Sequence, residues 1–274
     1  MLQLSFVEFK KGAYILVDGA ENSERFFIIQ SGKVKAENIF AFAPNQEKLK
    51  KNGELIGFTP CTSLAELASK CDTLIAACKP YQLESVLKEL GTSLKNKVLL
   101  SVAAGWIFDK FNNMLNPAID SYNTRIQCIM PNTPAMVGQG VMLFEKTNSL
   151  TPEELNQAVE LFKSLGIVEF LDTSLMGIGG AISGCGPAFM DLIMEAYADA
   201  AVKYGIARDT AYRLVSQTMA GSAVLQQKTG SHPGVLKDAV CSPNGTTIRG
   251  VDALEKAGLR GALISSIDAI MNKR

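Results

Sequence analysis

The feature that most constrains the fold of this chain is an alternation of short β-rich runs with helical patterns between residue 38 and about residue 171. Helix-start signals stand between the runs, since Ser63 with Glu66 and Thr151 with Glu154 have capping-box spacing, and Gly166 is the predicted helix stop. The predicted strands occupy residues 39–43, 73–78, 98–103, 126–130 and 167–171. Because helices that alternate with strands cover both faces of a parallel sheet, the pattern predicts an α/β fold with a doubly wound sheet.

After Asp172 the strand signal ends and a helical spacing replaces it. Apolar residues recur every three or four positions from Phe189 to Tyr204 and again from Leu214 to Leu225. These stripes are rich in small residues, and a domain of about 100 residues has only a thin core of its own. We therefore expect a first domain at residues 1–171, an all-helical second domain at residues 172–274, and a homo-oligomer that shares the helices.

Charge and cysteine content exclude several functional classes. The 27 basic and 27 acidic residues of the 274-residue chain cancel, and its basic groups are short, which argues against nucleic acid or an anionic membrane as a partner. The longest early apolar run, residues 13–17, is too short for a membrane span or a signal peptide. The six cysteines are scattered without a C-x-x-C pair. We expect a soluble, cytoplasmic protein with reduced, buried thiols and no metal site.

Three predicted strands end in irregular tails of small residues or prolines. These tails are Lys79-Pro80, Ala103-Ala104-Gly105 and residues 131–135. Ligands of doubly wound sheets bind at the carboxyl ends of the strands, so the tails are predicted to line a cofactor. Ordinary loops are the alternative interpretation of each tail.

A second unusual segment is the run Ser242–Thr247, which precedes a helical pattern. Pro243 and Gly245 interrupt any helix here, and Thr246 or Thr247 is predicted to cap the helix that follows. The resulting turn presents free N–H groups at the positive end of a helix dipole, where a carboxylate or phosphate is stabilised. Taken alone, the pattern favours an ordinary capped turn, because most capped helix starts bind no ligand.

The chain resembles the pyrroline-5-carboxylate reductases in four segments: MPNTPA (130–135), ACKP (77–80), SGCGPAF (183–189) and HPGVLKDAVCSPNGTTIRG (232–250). The match begins near residue 38 and implies a Rossmann-like doubly wound domain followed by a helical dimerisation domain. It also implies reduction of the cyclic imine pyrroline-5-carboxylate to L-proline, the last step of proline biosynthesis, with NADPH, or NADH as the alternative. The expected assembly is a homodimer or a larger assembly of dimers.

The resemblance also assigns roles to individual residues. The Ser242–Thr247 turn is implied to hold the substrate carboxylate, with the Thr246 hydroxyl near the imine nitrogen as the catalytic group. Ala103, Ala104 and Asn132 are implied to lie near the nicotinamide, and Pro187 to begin the interface helix. The remaining implied residues bind the substrate (Asn244, Gly245, Thr246 and Thr247) or the cofactor (Gly19, Ala20, Ala77, Cys78, Lys79 and Pro80).

Four polar residues of these motifs receive framework interpretations. The only histidine, His232, precedes Pro233 at a predicted helix start, and we interpret it as ordering the loop rather than as a general acid. Lys237 and Asp238 are expected to fix the same helix without facing one another. Cys185 stands where the family more often has serine, and it preserves the size of that residue.

The first 37 residues depart from the family pattern. Where a Rossmann domain carries G-x-G-x-x-G/A, the chain has Gly19-Ala20-Glu21, which places a carboxylate beside the expected pyrophosphate. Two alternatives are the β-hairpins of a cyclic-nucleotide-binding domain at residues 9–35, and a foreign segment joined to a reductase. The strand at residues 39–43 is followed by Pro44-Asn45-Gln46, which include no acidic residue to bind a ribose hydroxyl, and this favours NADPH slightly. The same residues include no arginine to bind a 2′-phosphate.

Two further functions compete with an active reductase. One is a catalytically impaired relative with a defective cofactor loop, which acts only as an oligomeric binding protein. The other is a β-hydroxyacid-type dehydrogenase with the same sheet and helices, against which the Ser242–Thr247 turn argues.

Replacing Glu21 by glycine distinguishes the interpretations of the N-terminal segment. If residues 14–32 form the first strand, turn and helix of the sheet, Glu21 weakens NADPH binding by about 1–3 kcal/mol through repulsion and lost amide contacts. The Glu21→Gly chain should then bind NADPH up to roughly ten- to a hundredfold more tightly. Titration by NADPH fluorescence measures both dissociation constants, and identical values would contradict the interpretation of residues 14–32 as a diverged cofactor loop and favour the foreign segment.

Overall fold

The computed structural model of the chain describes residues 13–16, 39–117 and 122–272. Its described residues up to Gly184 form one compact unit, and those from Cys185 onward form a second. The strands are β1 (Ala13–Leu16), β2 (Phe40–Phe42), β3 (Thr59–Pro60), β4 (Thr73–Ala76), β5 (Val98–Ser101), β6 (Arg125–Met130), β7 (Gly140–Glu145) and β8 (Gly166–Leu171). The helices of the first unit are α1 (Gln46–Ile56), α2 (Leu64–Lys70), α3 (Pro80–Leu90), α4 (Phe108–Leu115), α5 (Pro152–Lys163) and α6 (Met176–Gly180). The second unit contains α7 (Gly186–Lys203), α8 (Arg208–Thr229), α9 (Pro233–Ala239), α10 (Thr246–Lys256) and α11 (Leu259–Met271).

All eight strands join in one sheet with the order β3-β2-β1-β4-β5-β6-β7-β8. Neighbours from β3 to β6 are parallel, β7 is antiparallel to β6, and β8 is parallel to β7. The first six strands have the order 3-2-1-4-5-6 of Rossmann-like dinucleotide-binding domains. The predicted α/β, doubly wound fold is therefore confirmed.

The strand β1 decides between two interpretations of the N-terminal segment. It lies inside the sheet and pairs in parallel with β2 and with β4, so that Ile15 is the partner of both Ala41 and Ile75. A β-hairpin needs an antiparallel neighbour, so the hairpin interpretation is wrong for residues 13–16, which form the first strand of the sheet. Gly19, Ala20, Glu21 and the helix expected from residue 23 lie outside the described residues.

Two strands, β3 and β7, were not expected from the sequence. The strand β3 has only two residues, too few for any periodic signal. The strand β7 follows β6 after a short 3-10 turn, Thr133–Val137, because an antiparallel neighbour needs no helical crossover. The expected alternation of strand and helix does not apply there.

The predicted helix ends are confirmed in part. At α5, Thr151 and Glu154 exchange both capping-box hydrogen bonds, at 3.2 and 2.9 Å. At α2, Ser63 caps Glu66, but the Glu66 carboxylate pairs with Lys70 and accepts from Thr62, and these contacts lower the pKa of Glu66 to about 2.

The prediction that Gly166 stops the helix α5 is wrong. The helix already ends at Lys163 with Ser164 as its C-cap, and Gly166 begins β8 with a φ of 148°. A side chain at Gly166 would collide with the backbone of Gly140, its partner on β7. The glycine therefore permits close approach of two strands.

Two apolar cores cover the two faces of the sheet in the first unit. One contains α2, α3 and α4, with Leu67, Leu83 and Phe111 fully buried against the sheet. The other packs Leu161 and Phe162 of α5 against the sheet. Truncating a leucine buried to this extent to alanine costs about 2–5 kcal/mol, so these contacts fix the positions of the strand ends.

The second unit has little core of its own. Among its described residues, 185–272, only Ala198 and Ala211 are buried, whereas Leu192, Tyr204 and Ile264 are more than half exposed. Cys185 is exposed and Cys241 half-buried, so the expectation of buried thiols fails for these two.

Among the described residues, one stretch, Thr173–Lys203, is long and apolar enough for a membrane span by length and composition alone, with a mean hydropathy of 1.2.

Candidate active site

The sheet topology brings the three predicted cofactor tails to one edge. The strands β4, β5 and β6 are parallel neighbours, so their carboxyl ends at Ala76, Ser101 and Met130 point the same way. Residues 77–80, 103–105 and 131–135 therefore follow these ends at a common edge. The structure therefore places the three tails next to one another, as the sequence predicted.

The first tail leads directly into the N-terminus of α3. Lys79 is the N-cap, Pro80 occupies the first helical turn, and Gln82 accepts a hydrogen bond from the Lys79 N–H at 3.2 Å. Cys78 is buried, whereas the Lys79 side chain is exposed. A lysine beside the positive end of a helix dipole is an arrangement that favours anions such as phosphate.

The second tail is a loop that presents small residues at the edge. Ala103 is buried, and Ala104 and Gly105 are exposed. Gly105 has a φ of 76°, and a side chain at this glycine would meet no atom within 4 Å. Trp106 closes the loop, since its indole N–H donates to the Pro80 carbonyl at 3.2 Å and so joins this tail to α3.

In the third tail, the Asn132 side chain is part of the framework. Its Oδ1 accepts from the Val141 N–H at 2.8 Å, and its Nδ2 donates to the Ser183 carbonyl at 2.9 Å. Asn132 is buried, so both bonds are shielded from water. Asn132 thus lies at the predicted edge, and its amide holds the start of β7 and the Ser183 carbonyl.

The Ser242–Thr247 segment of the second unit forms a tight turn ahead of α10. Ser242 accepts a hydrogen bond from the Gly245 N–H at 3.0 Å, and Asn244 has a φ of 55°. Gly245 is the N-cap of α10, so the prediction that Thr246 or Thr247 caps this helix is wrong. A side chain at Gly245 would collide with the Ser242 hydroxyl, which leaves glycine as the residue that fits.

The turn leaves the start of α10 open to an anion. Thr246 and Thr247 are the first two helical residues, and both are exposed. In the part of the chain that the structure describes, no side chain caps this helix start, and the first N–H groups of a helix have no intrahelical partner. The N–H groups, the helix dipole and the two hydroxyls can therefore act on one bound carboxylate.

The framework interpretation of His232 agrees with the geometry around α9. His232 is the N-cap of this helix, and its Nδ1 accepts from the Gly234 N–H at 3.0 Å. Lys237 and Asp238, however, do contact each other, with a distance of 2.7 Å between Nζ and Oδ1. The long lysine side chain reaches its neighbour, and the hydrogen bond with Asp238 raises the pKa of Lys237.

Sequence reasoning missed Trp106 and Glu145 as parts of this edge. Glu145 is buried, and its Oε2 accepts from the Phe108 N–H at 2.8 Å, just beyond the second tail. The available signals were weak: a tryptophan soon after a strand, and a single carboxylate at the end of an apolar run. Within residues 13–16, 39–117 and 122–272, no group of three or more His, Cys, Asp or Glu side chains could hold a metal ion.

The edge of the first unit fits a dinucleotide. It combines the Rossmann strand order, a helix start with an exposed lysine, and a loop of small residues with open space at Gly105. The Ser242–Thr247 turn independently fits a carboxylate. Neither place contains a strong acid or base, so the chemistry available is binding and alignment of reactants.

Comparison with known proteins gives consistent similarities. The family model for pyrroline-5-carboxylate reductase dimerisation matches residues 173–274, and that for coenzyme F420-dependent NADP oxidoreductase matches residues 27–105, so similarity begins before residue 38. A pyrroline-5-carboxylate reductase of Treponema pallidum is 39% identical over 246 residues (89% of this chain, 92% of the relative), and that of Escherichia coli is 35% identical over 247 residues (90% of each). The solved pyrroline-5-carboxylate reductase of Coxiella burnetii is 28% identical with a TM-score of 0.84 (96% of this chain, 97% of that chain). A pyrroline carboxylate reductase of Plasmodium falciparum, solved with NADP bound, is 27% identical with a TM-score of 0.78 (95% of each).

Replacing Asn132 by aspartate tests its framework role. The new oxygen faces the Ser183 carbonyl where an amide donated before, so the variant should lose about 2–4 kcal/mol of unfolding free energy at neutral pH. Burial raises the folded-state pKa of the new carboxyl above its unfolded value, so the folded protein binds more protons and the loss shrinks as the pH falls toward about 4. Urea denaturation at several pH values measures this dependence.

Asn148 provides a matched control for the Asn132 substitution. Its side chain also accepts from one backbone N–H, that of Leu150, and donates to one carbonyl, that of Lys146, but at a solvent-accessible position. Asn148→Asp should cost less than about 1 kcal/mol because water solvates the new charge. Equal losses in the two variants would contradict the role given to Asn132.

Proposed function

The chain belongs to the pyrroline-5-carboxylate reductase family, and we propose that it reduces pyrroline-5-carboxylate to L-proline with NADPH, the last step of proline biosynthesis. The observation that carries this proposal is the pairing of a dinucleotide-type strand edge with a carboxylate-type turn in one chain. Relatives with this activity in their names match about nine-tenths of the sequence, which supports the same assignment.

The sheet edge would hold NADPH. Ala77, Cys78, Lys79 and Pro80 would line the dinucleotide at the start of α3, and Ala103 and Ala104 would adjoin the nicotinamide through backbone and methyl groups. Asn132 contributes by fixing β7 and the Ser183 carbonyl. When bound, NADPH supplies a hydride from C4 of the nicotinamide to the C=N carbon of the substrate.

The Ser242–Thr247 turn would bind the substrate. Its N–H groups at the start of α10 would hold the carboxylate, with Asn244 and Gly245 shaping the turn and Thr247 alongside. The Thr246 hydroxyl would stay within hydrogen-bonding reach of the imine nitrogen and orient the ring. A cyclic imine is basic enough to take its proton from water, so this site requires no strong acid.

NADPH is the cofactor we propose in preference to NADH. The residues between β2 and Glu47 of α1 are neutral, and Asn45 is occupied as the cap of α1, where its Oδ1 accepts from the Lys48 N–H at 2.9 Å. The segment thus lacks the carboxylate that binds the ribose of NAD. The NADP bound in the Plasmodium falciparum relative supports the same preference.

The reaction is tested by adding pyrroline-5-carboxylate to the purified chain with NADPH. We expect loss of NADPH absorbance and an equal amount of proline. Thr246→Val keeps the shape of the side chain without its hydroxyl, so kcat/KM should fall by about ten- to a hundredfold while NADPH affinity is unchanged. The exposed Thr92 serves as the control, since Thr92→Val should react normally. Absence of proline would refute the function, and normal kinetics of Thr246→Val would remove this hydroxyl from the mechanism.

We further propose that residues 172–274 form the helical dimerisation domain of a cytoplasmic homodimer, or of a larger assembly of dimers, with residues 1–171 as the NADPH-binding domain. The dimerisation family matches this region, and a second copy would cover the exposed apolar side chains of α7 and α8. Burial against a second copy would also account for the apolar character of the stretch Thr173–Lys203, so no membrane span is needed to explain it.

Light scattering measures the assembly. At micromolar concentration we expect a mass of at least twice the 29.5 kDa of one chain. A single species of 29.5 kDa would refute the assembly.

A further inference from the structure

Glu145 is a buried carboxylate that the proposed chemistry does not use. It ends β7 and is only 1% exposed. Its Oε2 accepts from the Phe108 N–H at 2.8 Å, and its Oε1 accepts from the Thr173 hydroxyl at 2.5 Å. Burial of a carboxyl group is unfavourable unless hydrogen bonds replace its hydration, so these two bonds offset the cost of burying the Glu145 side chain.

The thiol of Cys128 on β6 is buried near this carboxylate. Burial raises the pKa of Cys128, and the nearby charge of Glu145 raises that pKa further, so the thiol stays protonated. The two hydrogen bonds of the carboxylate join the end of β7 to the start of α4 and to Thr173, which follows β8.

The bond to Phe108 replaces a cap that α4 does not supply for itself. Its N-cap residue is Ile107, which has no side-chain oxygen, and no side-chain cap bond forms there. Glu145, 37 positions further along the sequence, accepts from the first N–H of the helix instead. A carboxylate at a helix N-terminus also interacts favourably with the helix dipole.

The loop that carries Ala103 and Ala104 is held by side chains at three places. At its start, the buried Ser101 hydroxyl accepts from the Ala103 N–H at 3.3 Å. Near its end, the Trp106 indole donates to the Pro80 carbonyl. At its junction with α4, Glu145 accepts from the Phe108 N–H. Glu145 also accepts from the Thr173 hydroxyl and so connects the loop to the segment that follows β8.

We propose that Glu145 is a positioning residue of the reductase: its carboxylate anchors the Ala103–Phe108 loop and so fixes the surface against which the nicotinamide lies. This inference rests on the proposed function for the identity of the ligand, whereas the anchoring itself is a property of the chain alone. Loss of the anchor lets the loop shift, and small displacements of reacting groups lower the rate strongly.

The test compares Glu145→Met with Glu145→Gln. Methionine has a similar volume but removes both acceptors, and kcat should fall about tenfold or more with a smaller change in the KM for pyrroline-5-carboxylate. Glutamine can accept from Phe108 and donate to Thr173, so kcat should stay within about threefold of the original. Leu161→Ala is the control: this fully buried residue of α5 belongs to the other apolar cluster, and its truncation should lower stability while kcat remains normal.

A measurement without cofactor makes the test independent of the reaction. Trp106 is the only tryptophan of the chain and lies in the loop, so its fluorescence reports on the loop alone. Acrylamide should quench Trp106 more readily in Glu145→Met than in the original chain, and Glu145→Gln should restore the original quenching.

Two results would overturn the proposal. One is a Glu145→Met variant that is less stable but has normal kcat and normal quenching, which would make the residue structural only. The other is a loss of kcat that Glu145→Gln does not restore. If the original chain produces no proline, the proposed function fails, while the quenching comparison still decides whether Glu145 anchors the loop.

Discussion

The parallel pairing of β4, β5 and β6 is the constraint on which the proposed site depends. Parallel strands require a crossover on the face of the sheet, so each chain segment returns to the same end before the next strand begins. These three strands then finish at one edge, and three tails distant in sequence become neighbours. Reversing a single one of these strands would separate the tails.

Buried polar side chains set the backbone of that edge. Asn132 bonds to the backbone of Ser183, 51 positions further along the chain, and Glu145 bonds to the backbone of Phe108, 37 positions before it. Because these bonds are shielded from water, they cannot be exchanged for bonds to solvent without loss of stability. The surface offered to a ligand consists of backbone and small side chains, which agrees with a reaction in which the cofactor supplies the hydride.

The sequence predicted the sheet, the helical second unit and the edge because these follow from local periodicity. The strand β7 was not predicted, because its antiparallel pairing with β6 depends on tertiary contacts that local periodicity does not encode. The partner of Glu145 is 37 positions away in sequence, and the amide bonds of Asn132 depend on where β7 and Ser183 come to lie.

The N-cap of α10 shows that prediction from sequence can also fail for contacts between neighbouring residues. Threonine at a helix start is a strong local signal, but the turn shifts the helix start by one residue and places Gly245 at the cap. The shift frees both threonine hydroxyls from capping. The sequence therefore indicated the start of α10 to within one residue and assigned the cap to the wrong residue.

The most direct test of the central claim is the transfer of label from cofactor to product. Purified chain is incubated with pyrroline-5-carboxylate and NADPH that carries deuterium at both C4 positions of the nicotinamide, and the proline is analysed by mass spectrometry. Direct hydride transfer to the C=N carbon predicts one deuterium per proline, at the δ-carbon. Unlabelled proline, or oxidation of NADPH without proline, would contradict the account.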